Sequence, residues 1–195
     1  RYILYTGLLS LGLIVAFNLS LIPNFFSKTT DEQKFLDLLD VEFAKSIEDN
    51  PIYASYMGDL RFNTLWPDYS VEKINKDHEH TLKVIQELEM MNVDNFSDEN
   101  KLNYRLFLDG YKNSADKHQY QTYLLPFSHR GGIQLQHEIA ESLPLRNFQQ
   151  YMDWISRLDK IDDVIDQYIA LANLGIENQV MPPKVLMSRV LNQIK

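Results

Sequence analysis

Residues 30–51 read TDEQKFLDLLDVEFAKSIEDNP, and this stretch decides the fold class. Thr30 followed by Gln33 is a capping box, in which side chains satisfy the backbone N–H groups left open at a helix start. Asp31 and Glu32 sit where the positive end of the helix dipole favours negative charge. Phe35, Leu38, Leu39, Phe43 and Ile47 recur at the spacing of one helix face. Asn50-Pro51 then stops the helix and opens a short second one, because proline suits the first helical position and not the interior. The spacing predicts an amphipathic helix over about residues 31–48, then a helical turn closed by Gly58.

The same signals recur outward along the chain. Ser70 caps a predicted helix running to about Met91, with Ile74, Leu82, Ile85 and Leu88 on one face. Ser97, followed by Asp98 and Glu99, starts another that reaches His118 and carries Leu102, Leu106, Leu108 and Tyr111 inward. Phe148, Tyr151, Ile155, Leu158, Ile161, Ile165 and Ile169 predict one long helix from Asn147 to Gly175, and Pro182-Pro183 opens a last one burying Leu186, Val190 and Ile194. Two stretches lack a period. Residues 59–69 read as an ordered loop anchored by Phe62 and Trp66, and residues 120–145 are punctuated by Pro126, Gly131-Gly132 and Pro144. The fold class is therefore all-α, an irregular multi-helix domain over residues 27–195.

Ahead of it, the 21 residues from Tyr2 to Ile22 carry no charge, enough for a helix to span the ~30 Å apolar core of a bilayer. Arg1 gives a positive flank, yet no small-residue cleavage pattern follows near Asn18 to Pro23. Residues 1–26 thus read either as a signal peptide or as an uncleaved transmembrane anchor through residues 2–22. Both place the remainder outside the cytoplasm, in the periplasm or anchored to the membrane facing outward. The chain starts at Arg1 and stops at Lys195 inside an amphipathic run, so the expectation is a piece of a longer protein. In that case the helices of residues 147–173 and 183–194 lack part of their packing partner and expose an apolar patch of more than a few hundred Å².

Composition narrows the chemistry. A net charge of −8 with no Lys/Arg run excludes a nucleic-acid partner, which needs basic surface against phosphate. The absence of cysteine excludes disulfides, thiolate nucleophiles and Cys-ligated zinc here. His137-Glu138 starts an HExxH-like string, but Glu141 stands where the second histidine is needed. His78 and His80 are two apart on a helix and point about 200° away from each other, so they cannot share one ion. Asp159, Asp162, Asp163 and Asp166 form an acidic helix face that reads as solvated. No metal ligand and no catalytic residue is assigned. The local feature that stands out is His129-Arg130-Gly131-Gly132-Ile133-Gln134: glycine pairs permit close backbone approach, and Arg130 can grip a carboxylate in bidentate fashion.

Five segments in order resemble the bacterial family called domain of unknown function 885. They are NPIYASYMGDLRFNTLWPDYS at 50–70, ENKLNYRLF at 99–107, YLLPFSHRGGIQ at 123–134, LPLRNFQQYMDWISRL at 143–158 and VMPPKVLMSRVLNQI at 180–194. The resemblance implies a longer, mostly helical, exported protein similar to gluzincin-type zinc metallopeptidases, with its His-Glu…Gly-His motif beyond Lys195. None of the five histidines here occupies that motif. What it implies for this chain is the amino-terminal part of a zinc-dependent hydrolase acting on a peptide-like substrate. Arg130 and Gln134 would face the cleft, and Gly131 and Gly132 would let substrate approach the backbone. The competing expectation is a membrane-tethered, non-catalytic helical binding module, and a third is a plain structural scaffold.

Overall fold

The computed structural model describes residues 29–194. The segment read as signal peptide or anchor, residues 1–26, lies outside them. Among the described residues no helix is long and apolar enough to cross a membrane.

The fold is all-α. Helices α1 (Asp31–Asp49), α2 (Pro51–Tyr56), α3 (Val71–Glu89) and α4 (Asp98–Gln119) are followed by a short α5 (Ile139–Ser142), then α6 (Phe148–Leu158), α7 (Ile161–Glu177) and α8 (Lys184–Ile194). Short 3₁₀ turns at Leu60–Phe62, Thr122–Leu124 and Ile133–Glu138 fill the aperiodic stretches. Five starts carry the expected side-chain caps. Thr30, Asn50, Ser70, Ser97 and Asn147 accept from the backbone N–H groups of Gln33, Tyr53, Lys73, Asn100 and Gln150. Gly58 closes α2 at φ +86°, a left-handed conformation that glycine adopts without strain.

Helices α1, α3 and α4 share one apolar core built from Phe35, Leu38, Val84, Leu88 and Phe96. Phe35 is fully enclosed, with ring centroids 5.8 Å from Phe96, 5.7 Å from Tyr104 and 6.2 Å from Phe107. The start of α1 is tied to the start of α4. Glu32 Oε1 accepts from Asn100 Nδ2 (2.7 Å), Ser97 N and Ser97 Oγ (both 2.9 Å). Those bonds, Asn100's foremost, hold the Glu32 carboxyl below its usual value.

Helices α6 and α7 dock through the loop after α2. Trp66 Nε1 donates to Arg157 O at 2.5 Å, Tyr69 N donates to Gln167 Oε1 at 2.7 Å, and the Tyr69 and Tyr168 rings meet edge-on at 5.0 Å. The guanidinium of Arg157 is wholly enclosed and donates to Ser55 Oγ, Phe62 O and Pro51 O.

Several expectations about burial are overturned. The single helix expected from Asn147 to Gly175 is two, because Asp159 and Lys160 turn out of the helix and Lys160 Nζ reaches Thr64 O. Asp162 and Asp163 occupy the first turn of the new helix, where the dipole favours them. The second helix also runs past Gly175, which is buried inside it: a Cβ there would come within 2.7 Å of Leu124 O and 2.8 Å of Val180 O. The face of α7 turned inward is Val164, Tyr168, Leu171 and Gly175, so Ile165 and Ile169 lie outside. On α1, Phe43 is 57% exposed and Glu42 takes the buried place beside it. Leu82, Leu102, Leu106 and Ile194 also face outward, as does the stripe of α6 from Phe148 through Tyr151 and Ile155 to Leu158. These helices are apolar on more than one side, and packing selects a face that the spacing alone does not specify.

Phe35→Ala should lower stability by about 3–5 kcal/mol, a buried-aromatic deletion, whereas Phe43→Ala should stay within about 0.5 kcal/mol. Chemical denaturation of the two variants checks this; equal losses would return Phe43 to the core.

Candidate functional site

The glycine segment forms a tight, internally bonded turn. Ser128 and Gly131 make an isolated antiparallel bridge, with Ser128 N donating to Gly131 O at 2.9 Å. Gly132 lies at φ +133°, and a Cβ there would meet Gln134 Oε1 at 2.5 Å and Pro126 O at 3.2 Å, so the position needs glycine. Gly131 has ordinary φ, and a Cβ there would lie at van der Waals distance, 3.7 Å, from Ser128 Oγ. Gln134 turns its amide back into the loop, Nε2 donating to Ser128 O at 2.7 Å. Gln193 of α8 clamps the turn from outside, donating to His129 O at 3.2 Å. Arg130 is exposed, and its guanidinium has no partner among the described residues. Beside the turn, Leu124, Pro126, Phe127, Ile176, Val180 and Met187 line an apolar cavity of about 240 Å³.

The four residues singled out in the sequence therefore stand together, in different roles. Gln134, Gly132 and Gly131 build the turn, and Arg130 projects from it with its guanidinium unpartnered among the described residues. A model described as "Bacterial protein of unknown function (DUF885)" matches residues 51–195, a span that includes this turn, the Arg157 anchor and helices α2 to α8. The chain belongs to the DUF885 family. No curated protein and no solved structure matches it. The match begins at Pro51, after α1.

Among the described residues, the histidines of this DUF885 chain form one stacked pair and no larger group. His80 bonds to Glu42, His137 Nδ1 lies 3.2 Å from its neighbour Gln134 O, and His78 stacks on His118 with centroids 3.8 Å apart and planes 7° from parallel. No group of three or more His, Asp or Glu side chains that could hold a metal ion occurs among the described residues. Asp159, Asp162, Asp163 and Asp166 are exposed.

A polar cluster that the sequence reading passed over lies between α1, α3 and α4. Glu42 is 6% exposed; its carboxylate meets His80 Nε2 at 2.8 and 2.9 Å and accepts from the Tyr111 hydroxyl at 2.5 Å. Burial, reinforced by the bond to Glu42, holds the Tyr111 phenol far above its ordinary pKa, so it stays a donor at any physiological pH. Glu42 falls four residues after Leu38 and seven after Phe35, on the face that proved buried; a carboxylate there was the available signal.

Burial, then the neighbouring His78 ring, push the His118 pKa below its usual value of about 6.5. The folded state binds the proton less readily than the unfolded one. The contribution to stability is thus complete above about pH 6.5 and shrinks as pH falls through the depressed folded value. NMR titration of the His118 ring should show that depressed midpoint, moving upward in His78→Ala as the second of the two causes is removed; a midpoint at the ordinary histidine value in the parent, or no upward move in the variant, would contradict this account.

Proposed function

We propose that this chain is the amino-terminal helical part of an exported zinc-dependent hydrolase of the peptidase type, in which the turn from Arg130 to Gln134 faces the substrate cleft. The observation that carries the reading is an unpaired Arg130 on a rigid, glycine-dependent turn beside an apolar cavity. A guanidinium fork suits a peptide carboxylate, and a cavity of about 240 Å³ suits one apolar side chain. Export is supported by the uncharged run Tyr2–Ile22.

The described residues do not fit a zinc site, so on this reading the metal and its activated water are held by another part of the protein. This chain would bind and orient substrate. The surface for that other part would be drawn from the exposed apolar side chains of α6 to α8: Phe148 is 79% exposed, and Ile155, Ile169, Val185 and Leu191 are exposed too.

In the intact zinc-loaded protein, peptide-library cleavage should be abolished by a chelator and restored by zinc. Arg130→Ala should lower kcat/KM by roughly 10–100-fold, the value of one charged hydrogen bond, with Tm unchanged. Normal kinetics in that variant would remove the turn from the cleft. Absence of any chelator-sensitive cleavage would leave the membrane-tethered binding module as the better reading.

A further inference from the structure

A second cavity, of about 370 Å³, opens where α1, α3 and α4 meet beyond their aromatic core. Its walls carry Glu42, Asp49 and Asp77 together with Lys45, Leu106 and Phe107. Two of the three carboxylates are already balanced. Lys45 pairs with Asp49 and, at 3.4 Å, with Asp77; Lys73 pairs with Asp49 at 2.9 Å and Asp77 at 2.6 Å. The third, Glu42, is the most deeply buried of them, and among the described residues it meets the His80 ring and the neutral Tyr111 hydroxyl but no lysine or arginine. A carboxylate has about four lone-pair sites, and the contacts of His80 and Tyr111 leave Oε1 room for another donor.

We propose that this cavity binds a small organic cation, an alkylammonium or guanidinium, with Glu42 as its counter-ion and its apolar part lying on Leu106 and Phe107. A buried carboxylate is costly without a compensating charge; His80 supplies one only when protonated, and a cation entering the cavity supplies one whatever the state of that ring. An anion would instead meet the Glu42 carboxylate, which no lysine or arginine balances among the described residues. The size lies near the lower end of ordinary ligand pockets, about 300–1,000 Å³, which suits a molecule of one amino-acid side chain's bulk.

Gly110 marks a place where the cavity can be filled. It lies in the interior of α4 and on the cavity wall, where glycine disfavours the helix. A Cβ there would meet nothing within 4 Å, and its φ is ordinary, so neither close packing nor a turn requires glycine. The wall is open at this exposed position.

The site is separate from the glycine turn, so the proposal stands or falls independently of the hydrolase reading. The experiment is calorimetric titration of the protein with hexylammonium, hexanoate and hexanol at ~150 mM salt, where diffuse attraction to the acidic surface is screened. Hexylammonium should bind saturably at one site and raise Tm, and hexanoate and hexanol should not. Gly110→Leu, which fills the open space without a backbone clash, should abolish binding in a folded protein. Glu42→Gln should weaken it at least about tenfold, the scale of a lost charged hydrogen bond; should that variant fail to fold, Gly110→Leu decides alone. Equal binding of the three probes, binding that survives Gly110→Leu, or no saturable binding of hexylammonium would overturn the proposal.

Discussion

One buried cation joins the two halves of this molecule. Arg157 is fully enclosed, and no carboxylate lies within ion-pair distance of it among the described residues. Its charge is instead spread over oxygens: Ser55 Oγ and Phe62 O at 3.0 Å, and Pro51 O at 3.3 Å. Burial pushes the guanidinium down to about 10, which still leaves it charged at neutral pH. Arginine's weak hydration suits it to such a place, and all three bonds leave from one guanidinium nitrogen, Nη2. The backbone oxygen of the same residue accepts from Trp66, so main chain and side chain of Arg157 grip both sides of the loop after α2.

The consequence runs along the chain. With Arg157 seated, α6 lies against α2 and the Leu60–Phe62 turn, and Tyr69 meets Tyr168 one helix later. Tyr168 in turn touches Phe127, which leads into the glycine turn. Gly175 lets α7 approach the carbonyls of Leu124 and Val180, and Gln193 closes the far side. Arg130 is therefore held out on a platform whose register is set about Arg157, while the aromatic core of α1, α3 and α4 stands apart from it. The inner faces so chosen leave the apolar stripe of α6 open.

Much of this was legible locally. Thr30, Asn50, Ser70, Ser97 and Asn147 mark helix starts because capping is an interaction between residues two or three apart. Facing is not local. Phe35 and Phe43 share a stripe on paper, yet only Phe35 is enclosed, since the partner helices cover one side of a broad apolar surface. The break at Asp159–Lys160 carries no glycine or proline, and only Asp162-Asp163 hinted at it. The glycine turn was visible as a motif, but the self-directed bond of Gln134 was not. Arg157 and Glu42 were invisible as buried groups because their partners lie far away in sequence: Ser55 is 102 residues from Arg157, and Tyr111 is 69 from Glu42.

Native-state hydrogen exchange in Arg157→Met tests the linkage directly, since methionine keeps bulk and removes the donors. Amides of residues 51–62 and 148–177 should lose protection together while those of α1, α3 and α4 exchange as in the parent protein. Unchanged protection in 148–177, or an equal loss throughout the molecule, would contradict the role assigned to this one guanidinium.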